Sequence, residues 1–336
     1  MHSRFESPRH FSIASITVAY NGAAVLRKHL DSLLRQDRKL DEIVVVDNAS
    51  TDETRHLLAS EYPGITVLRI PENRGVGGGL EAGLAYAAFE KKHDWVWSFD
   101  QDSLPSPDAL ERMLAALPHL REAEESTAIL APMCLHPATG MTYPGLRWRG
   151  WKFVPAKVEN DPVTFVDMVI SSGSLIRGSA LKKAGLPRSD FFMDFVDYEH
   201  CLRLRRHGFR IAVVRDSTLD HAIGDPATFH LLGRRQSWAD HAPWREYYMA
   251  RNETFTMWEY SPRFATKLFV AYRLMHHALG VLLCGKKKFD SLRMIARGFL
   301  DGRAGRLGIR YSPGTLKKVP ERTAAVGTKA LARKTS

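Results

Sequence analysis

The stretch EIVVVDNAST, residues 42–51, decides the fold that we predict for this chain. Its apolar run IVVV is short and continuous, which is the pattern of a strand buried on both faces of a parallel sheet. Asp47, Asn48, Ser50 and Thr51 follow at once, and a cluster of this kind suits a turn that caps the next helix. A buried strand, a polar turn and a helix are therefore predicted in succession.

The same alternation extends on both sides of this stretch. Strands are predicted at 11–20, 42–46, 64–70 and 95–99, and helices at 23–36, from the polar cluster through 58, at 78–90 and at 106–117. Such an order predicts an α/β fold with an open, mostly parallel sheet and helices on both faces.

Polar side chains follow each of the first four predicted strands. Loops and helix N-termini converge beyond the carboxyl ends of parallel strands, and ligands of α/β proteins bind there. The sequence therefore predicts one site at this edge. Its candidate residues are Asn21 after the first strand, Asp47 after the second, Asn73 and Arg74 after the third, and Asp100 and Asp102 after the fourth.

Asp100 and Asp102 are two carboxylates at positions i and i+2 of a turn that follows an apolar strand. They can hold a hard divalent cation such as Mg²⁺ or Mn²⁺, which in turn bridges a diphosphate. A solvated turn would carry the same triplet. His221 follows another predicted strand at 210–214, and its imidazole completes the coordination if the fold brings it to the pair. Otherwise it is a hydrogen-bonded structural histidine.

The segment FFMDFVDYEHCLRLRR, residues 191–206, sets Asp194, Asp197 and Glu199 among aromatic residues. Loss of hydration beside apolar surface raises the pKa of a carboxyl group and makes it a candidate general base. The alternative is an acidic helix N-terminus that favours the helix dipole. The segment SSGS, residues 171–174, permits close approach of a sugar but equally suits an ordinary tight turn.

Length and composition set the class of protein. A chain of 336 residues with 44% hydrophobic and 25% charged residues has room for a large α/β domain and an appendage, which argues against collagen-like, disordered and coiled-coil classes. Cys134, Cys201 and Cys284 form no CxxC pair, which indicates reduced thiols in a cytoplasmic protein. Residues 1–10 are polar, so we expect a flexible N-terminus and no signal peptide.

Positive charge is concentrated at the C-terminal end. The net charge is +11, yet residues 261–336 alone carry 17 basic and 3 acidic residues. The apolar stretch 264–284 is interrupted by basic residues and followed by Lys286–Lys288, so the sequence argument rejects a transmembrane helix and favours an amphipathic helix on an anionic membrane surface. A helix packed on the main domain is an equal alternative. We expect residues 315–336 to be disordered.

Taken in chain order, these segments resemble the family 2 glycosyltransferases. The matching segments are VAYNG (18–22), IVVVDNASTD (43–52), ENRGVGGGLEAGL (72–84), FDQDS (99–103), SSGSL (171–175), FFMDFVDYEHCLRLRRHGF (191–209) and DHAIGD (220–225). The resemblance covers about residues 12–225 and implies the GT-A fold, which binds nucleotide sugars. DQDS, SSGSL, the variant VDYEHCLR (196–203) and HAPWREYYMARN (241–252) are most similar to bacterial rhamnosyltransferases of the O-antigen and rhamnolipid type, which implies dTDP-L-rhamnose as donor.

The resemblance also implies a role for each matching acidic residue. Asp47 would contact the nucleobase, Asp102 and His221 would hold the metal, and Asp100 would lie near the nucleotide sugar. Asp197 matches the second acid of the family's Glu-Asp pair and would be the inverting base.

Two positions depart from the family pattern. Val196 replaces the first acid of the pair, and Glu81 stands where many relatives have Asn. The full set of implied contacts is Tyr20, Asn21, Asp47, Asn73, Arg74, Asp100 and Gln101 for the donor, and Ser172, Gly173 and Asp194 for the acceptor.

The implied function is an inverting transfer of a sugar, L-rhamnose, onto a hydroxyl of a glycan or glycolipid acceptor with Mg²⁺ or Mn²⁺. We predict a GT-A domain at 11–260, with a nucleotide-sugar half to 105 and an acceptor half beyond it, and a basic helical region at 261–314. The expected location is the cytoplasm or the inner face of the cell membrane, with no nucleic acid partner.

Two alternatives belong to other classes. An NAD-dependent oxidoreductase would use Gly77–Gly79 with Ala82, which satisfy the GxGxxA pattern of dinucleotide-binding loops. A non-catalytic adaptor would bind membrane or nucleic acid through the basic tail.

Overall fold

The structure is a computed structural model that describes residues 10–158, 161–221, 227–231, 234–238, 240–261 and 263–313. The strands are β1 (Ile13–Ala19), β2 (Glu42–Asp47), β3 (Thr66–Arg69), β4 (Trp95–Asp100), β5 (Leu104–Pro105), β6 (Thr127–Leu135), β7 (Thr142–Tyr143), β8 (Leu146–Arg149), β9 (Lys152–Pro155), β10 (Val163–Val166), β11 (Ser174–Arg177), β12 (Arg210–Asp220), β13 (Ala227–Leu231) and β14 (Arg234–Trp238). The expected flexible N-terminus, apart from residue 10, and the expected disordered tail lie outside the described residues.

The helices alternate with the strands in the first half of the chain and dominate its end. They are α1 (Ala23–Leu34), α2 (Thr54–Glu61), α3 (Gly75–Ala85), α4 (Ala109–Ala115), α5 (Gly178–Ala184), α6 (Val196–Arg206), α7 (Pro243–Tyr260), α8 (Phe264–Cys284) and α9 (Lys288–Arg303). Helix α3 continues as one wider turn over Tyr86–Glu90, and 3₁₀ turns cover Leu117–Ala123 and Ser189–Phe191.

The main sheet has the strand order β10-β12-β6-β11-β4-β1-β2-β3. Strands β4, β1, β2 and β3 are parallel neighbours, as the alternation of strand and helix predicts. Strand β11 runs antiparallel between β4 and β6, and β12 pairs with β6 in the parallel direction. The predicted α/β class with a mostly parallel sheet and a helical C-terminal region is confirmed.

The apolar run of β2 is buried on both faces of the sheet. Val44 packs in the cluster that contains Leu80 and Leu84 of α3, whereas Val45 packs in the cluster that contains Leu26 and Leu30 of α1. Successive side chains of a strand point to opposite faces, so a strand covered by helices on both sides needs an unbroken apolar run. Each such side chain contributes about 1.5–3 kcal/mol through its burial.

The glycine run of α3 serves packing. A Cβ at position 79 would lie 2.4 Å from Cγ1 of Val18 on β1, and one at position 77 would lie 2.6 Å from the main-chain oxygen of Arg188. These glycines lie inside the helix, several residues beyond the end of β3, rather than in the turn that would hold a dinucleotide. The close approach of α3 to the sheet therefore accounts for them.

Helices α7, α8 and α9 pack against one another at the C-terminal end. Val270 and Val281 of α8 are buried, as are Met294 and Ile295 of α9. Of the helices that the structure describes, α8 is the one long and apolar enough to cross a membrane. Contrary to the sequence argument, length and composition alone therefore do not exclude a span.

Candidate active site

Three predicted metal ligands meet at one end of the sheet. Asp100 is the last residue of the buried strand β4, Asp102 lies in the turn after it, and His221 directly follows β12. The carboxylate and imidazole ligand atoms of the three residues all lie within 4.8 Å of one another. His221 comes close because β12 pairs with the short strand β5, which follows the acidic turn.

The donor atoms suit a divalent cation. Two carboxylates and one imidazole are ligands that Mn²⁺ and related ions accept, and the cluster of Asp100, Asp102 and His221 could hold such an ion. Nδ1 of His221 lies 3.5 Å from Oδ1 of Asp102, and its Nε2 lies 3.8 Å from Oδ2 of Asp100. The three side chains therefore face a common point.

The ionisable groups of this cluster shift one another's pKa. Burial raises the pKa of Asp100, whereas the hydrogen bond from His221 lowers the pKa of Asp102. For His221, burial disfavours the charged ring, but the hydrogen bond to Asp102 and the two negative charges outweigh it and raise the pKa. The cluster thus attracts positive charge.

Two serines join the cluster of Asp100, Asp102 and His221 to the segment SSGSL. Oγ of Ser103 lies 2.6 Å from Oγ of Ser172 and 2.9 Å from Nδ1 of His221. The main-chain N–H of Asp100 donates a 3.1 Å hydrogen bond to the same Ser172 hydroxyl. Ser172 is buried and makes these contacts within the protein, so its predicted contact with an acceptor stays a prediction. Ser103 is a supporting residue that the sequence argument missed, although it lies within the quoted motif FDQDS.

Gly173 lies against β4, where its main-chain N–H donates to the main-chain oxygen of Ser98. Its φ is +79°, and a Cβ there would lie 2.8 Å from both Leu219 and Pro132. Its main-chain oxygen accepts a 2.8 Å hydrogen bond from Nε1 of Trp97 on β4. Glycine is therefore required here by both conformation and space. Its predicted contact with an acceptor also remains a prediction.

Asp197 lies in the first turn of α6, beside the same cluster. Its Oδ1 accepts a 2.8 Å hydrogen bond from the main-chain N–H of Tyr198. Burial is the main reason that the pKa of Asp197 is raised to about 7, and the negative charges of Asp100 and Asp194 add to the rise. Backbone hydrogen bonds from Tyr198 and Ser171 lower the pKa and offset part of this rise. A carboxyl group with this pKa can accept a proton near neutral pH.

The turn before Asp197 has an unusual backbone. Phe192, Asp194 and Phe195 have φ of +67°, +55° and +62°. Such values cost of order 1–3 kcal/mol each for residues with a side chain, so other contacts must hold the turn. The buried guanidinium of Arg251 on α7 provides part of this support, because its Nη2 donates to the main-chain oxygen of Phe191 at 2.9 Å.

Arg245 is a second residue of α7 that sequence reasoning did not assign. Its Nη2 and Nε lie 3.0 and 3.2 Å from the two carboxylate oxygens of Asp194. The negative charge of Asp194 raises the pKa of Arg245, and a smaller contribution comes from Asp100. Arg245 thus supplies a fixed positive charge to an acidic site. The motif HAPWREYYMARN, used above only for its resemblance, contains both Arg245 and Arg251.

The predicted donor residues Asn21 and Asp47, at the ends of β1 and β2, are linked through Ser50 and Thr51 of the polar cluster. Asp47 is fully buried; its Oδ1 accepts from the main-chain N–H of Ser50 at 2.8 Å, and its Oδ2 lies 3.1 Å from Nε of Arg55. Oδ1 of Asn21 accepts from the main-chain N–H of Thr51 at 2.7 Å. The polar cluster after β2 is thus tied to the end of β1.

Gln101 ties the acidic turn to the same place. Its Oε1 accepts from the main-chain N–H of Tyr20 at 2.9 Å, and its Nε2 donates to the main-chain oxygen of Tyr20 at 3.1 Å. Tyr20 itself is exposed at the edge of the site. The first and fourth strand ends are therefore joined by one side chain.

Asn73 and Arg74 lie at the start of α3. Oδ1 of Asn73 accepts from Nδ2 of Asn48 at 3.1 Å and from the main-chain N–H of Gly75 at 2.8 Å. Arg74 forms an ion pair with Glu81, with Nη2 and Oε2 2.9 Å apart. The acid at position 81 therefore has a partner within its own helix. Asn48 is buried and links the turn after β2 to Asn73. It lies in the quoted stretch DNAST but was not predicted as a site residue.

Comparisons with known proteins find similarity to glycosyltransferases. Residues 15–124 match the family model described as Glycosyl transferase family 2. The chain is 24% identical over 301 residues to dTDP-rhamnosyl transferase RfbF of Shigella flexneri, covering 88% of this chain and 97% of the relative. It is 29% identical over 255 residues to galactofuranosyltransferase GlfT1 of Mycobacterium tuberculosis H37Rv, covering 73% of this chain and 82% of the relative.

The fold is also similar to that of solved glycosyltransferases. The structure of GalNAc-T7 with UDP, GalNAc and Mn²⁺ superposes with a TM-score of 0.58 and 15% identity, covering 88% of this chain. The match spans 56% of the GalNAc-T7 chain, so it concerns the shared fold. Over residues 15–124 the chain thus matches the family 2 glycosyltransferases, and the strand order and this structural similarity show that it has the GT-A fold.

Proposed function

We propose that the protein is an inverting glycosyltransferase that moves L-rhamnose from dTDP-L-rhamnose to a hydroxyl group of a glycan or glycolipid. The observation that supports this most directly is the proximity of Asp100, Asp102 and His221 at the end of β4 and β12, with Asp197 electrostatically coupled to Asp100. A cluster that attracts a cation beside a carboxyl group with a raised pKa suits departure of a diphosphate and deprotonation of a hydroxyl.

In this proposal Asp197 is the general base. Its carboxylate removes the proton of the acceptor hydroxyl while the hydroxyl oxygen attacks the anomeric carbon, and the bond from that carbon to the diphosphate breaks. Single displacement inverts the configuration. Mg²⁺ or Mn²⁺, when bound by Asp100, Asp102 and His221, supplies positive charge to the departing diphosphate. Arg245 balances Asp194, which limits the negative charge that surrounds the base.

The donor side is assigned to the ends of the first three strands. Asp47 would bind the nucleobase, and Tyr20, Asn21, Asn73, Arg74, Asp100 and Gln101 would line the remainder of the donor. The hydrogen bonds that hold Gln101, Asn73 and Asn21 in place support this assignment, because a network that orders these side chains before binding reduces the entropy lost on binding. Ser172, Gly173 and Asp194 are assigned to the acceptor side.

A second donor is supported by a specific relative. GlfT1 is a galactofuranosyltransferase and matches this chain at 29% identity, so UDP-galactofuranose is the alternative to dTDP-L-rhamnose. The two donors differ in both base and sugar. Binding of dTDP and UDP, measured separately from turnover, therefore distinguishes recognition of the base from recognition of the sugar.

One experiment tests both the reaction class and the identity of the donor. The purified chain is incubated with dTDP-L-rhamnose, UDP-galactofuranose and other nucleotide sugars, each with Mg²⁺, with Mn²⁺ and with EDTA, and release of nucleoside diphosphate is measured. We expect release from dTDP-L-rhamnose that requires a divalent ion and is lost in Asp197→Asn. Release from UDP-galactofuranose alone would contradict the donor, and no release from any nucleotide sugar, with or without glycan acceptors, would contradict the proposed function.

A further inference from the structure

Helix α8 is held against the body of the protein by its inner face. Nε of Arg273 lies 2.6 Å from Oε1 of Glu253, and Nε2 of His277 lies 2.6 Å from Oε2 of Glu246, both acids being on α7. Both glutamates are nearly buried. The ion pair of Arg273 and the hydrogen bond of His277, one helical turn apart, fix α8 lengthwise along the body.

The opposite face of α8 is apolar and exposed. Its large side chains form what we call the outer stripe: Phe264, Leu268, Tyr272, Met275, Leu279 and Leu282. They are spaced by three or four positions, so they lie on one face and extend over the whole helix. Soluble proteins rarely leave a continuous stripe of this size exposed unless a partner covers it.

Two exposed aromatic side chains from other elements lie near the ends of α8. Trp151, in the turn between β8 and β9, is 45% exposed, and its ring centre lies 5.4 Å from that of Phe269 on α8. Nη1 of Arg263 donates a 2.7 Å hydrogen bond to the main-chain oxygen of Gly150, which joins this turn to the start of α8. Phe289, at the start of α9, is 78% exposed. Exposed aromatic side chains therefore flank α8 near its start and follow its end.

The charge around this surface indicates what covers it. Residues 261–289 contain six basic and no acidic residues, and Lys286–Lys288 are all exposed next to the end of α8. A second copy of the chain seated on the outer stripe would bring basic residues against basic residues in either orientation. An anionic surface is complementary.

We propose that α8 docks the protein on an anionic lipid bilayer. The outer stripe, Trp151 and Phe289 enter the headgroup region, and Lys286–Lys288 contact lipid phosphates. Helices that lie in the interface have one apolar and one polar face, and tryptophan is enriched at that depth. Because Arg273 and His277 hold α8 along the body through the two glutamates of α7, the helix lies on the bilayer rather than across it. This surface is independent of the sugar that the enzyme transfers.

Vesicle flotation tests the proposal with the full chain. Vesicles of phosphatidylcholine alone are compared with vesicles that contain phosphatidylglycerol. We expect the protein to float with the anionic vesicles, and Leu268→Glu with Met275→Glu to reduce its partition by more than tenfold. Replacing Lys286–Lys288 by Gln should weaken binding to anionic vesicles on the order of 100-fold, since each basic side chain near such a surface contributes about fivefold. It should leave the weak binding to phosphatidylcholine unchanged.

The matched control places the same two charges elsewhere. Leu34→Glu with Met141→Glu changes two exposed apolar residues outside α8 and should float like the wild type. Thermal unfolding and nucleoside diphosphate release in solution should be unchanged in the outer-stripe variant, which separates this proposal from the catalytic one.

Three results would overturn the proposal. The first is wild-type protein that does not float with anionic vesicles. The second is a wild-type protein that is dimeric and an outer-stripe variant that is monomeric. The third is membrane-bound protein that a carbonate wash does not release, as expected of a spanning helix.

Discussion

The side-chain amide of Asn252 donates a 2.9 Å hydrogen bond to the main-chain oxygen of Asp194. The same Nδ2 also lies 2.7 Å from the main-chain oxygen of Met193 and 3.0 Å from that of Phe191. One amide on α7 therefore holds the turn whose positive φ angles precede the candidate base. The turn sets where α6 begins, and so where Asp197 points.

Replacing Asn252 by Ala should therefore disturb both stability and the site. Buried carbonyl groups left without a donor cost about 1–3 kcal/mol, and the turn would relax from its positive φ angles. We expect the free energy of unfolding to fall by about 2–3 kcal/mol and kcat to fall with it, while the nucleotide Kd changes little. Denaturant unfolding and nucleotide titration measure these quantities.

Thr254→Val is the matched control for Asn252→Ala. Thr254 is buried on the same helix, and its hydroxyl has no partner among the residues that the structure describes. Its replacement should change neither stability nor kcat appreciably. Equal losses in both variants would mean that α7 is sensitive to any core substitution and would remove the special role of Asn252.

Asp197→Asn should reduce turnover by about 10²- to 10⁴-fold, the usual contribution of a general base, and leave nucleotide binding intact. Because the pKa of Asp197 is raised to about 7, wild-type kcat/KM should increase as the pH rises through that value. A pH profile and a nucleotide titration check both statements. Normal turnover of the variant with the same pH profile would assign the base elsewhere.

The same raised pKa gives stability a pH dependence. Asp197 has a pKa of about 7 in the folded protein against an ordinary value of 3.8, so the folded state binds more protons between these values. Its contribution to stability is full below about pH 4 and is lost as the pH rises through 7. Asp197→Asn should therefore be more stable than the wild type at pH 8, by at most about 4 kcal/mol. Unfolding in denaturant at pH 5 and pH 8 measures the difference.

Asp108→Asn is the control for Asp197→Asn, because the pKa of Asp108 is shifted in the opposite direction. A hydrogen bond from Arg112 lowers the pKa of Asp108, so its contribution is present above the ordinary pKa and lost as the pH falls. This variant should be no more stable than the wild type at pH 8. If both variants gained stability at pH 8, a general effect of removing negative charge would explain the result.

Asp102→Ala should weaken both metal dependence and donor binding. Its side chain is 48% exposed, so the fold should survive the change. We expect Mn²⁺ titration to show an affinity at least tenfold lower and the nucleoside diphosphate to bind more weakly in the presence of the ion, because one of three ligands is lost. Asp216→Ala, at an exposed carboxylate of β12 outside the cluster, should leave both unchanged. Unaltered metal and donor binding in Asp102→Ala would remove that residue from the site.

Local sequence patterns were sufficient to predict the strands and helices of the first half of the fold. The run IVVV and the polar residues after it predicted β2 and α2, and the structure places these elements at Glu42–Asp47 and Thr54–Glu61. Element ends were less accurate: the helix predicted at 78–90 begins at Gly75 and changes to a wider turn at Tyr86. Helix ends depend on capping and tertiary contacts, such as the bond from Gly77 N–H to the main-chain oxygen of Phe192, which no local window contains.

The supporting residues of the site were harder to predict than its acids. An acid after a buried strand is visible in the sequence, whereas the roles of Ser103, Arg245, Arg251 and Asn252 depend on partners far away in the chain. Asn252 acts on Asp194 across 58 positions, and Ser103 contacts His221 across 118. Such pairs leave no periodic signal.

By itself, the sequence determined the α/β alternation, the strand ends at which the acids lie and the positive charge of the C-terminal region, because periodicity and composition are properties of short segments. Only the tertiary structure decided that His221 meets Asp100 and Asp102, that α7 holds the turn before Asp197, and that the apolar residues of α8 face outward. Those outcomes depend on how β12 pairs with β5 and β6 and on how α7 and α8 pack, and contact between distant segments is settled by the free energy of the whole chain.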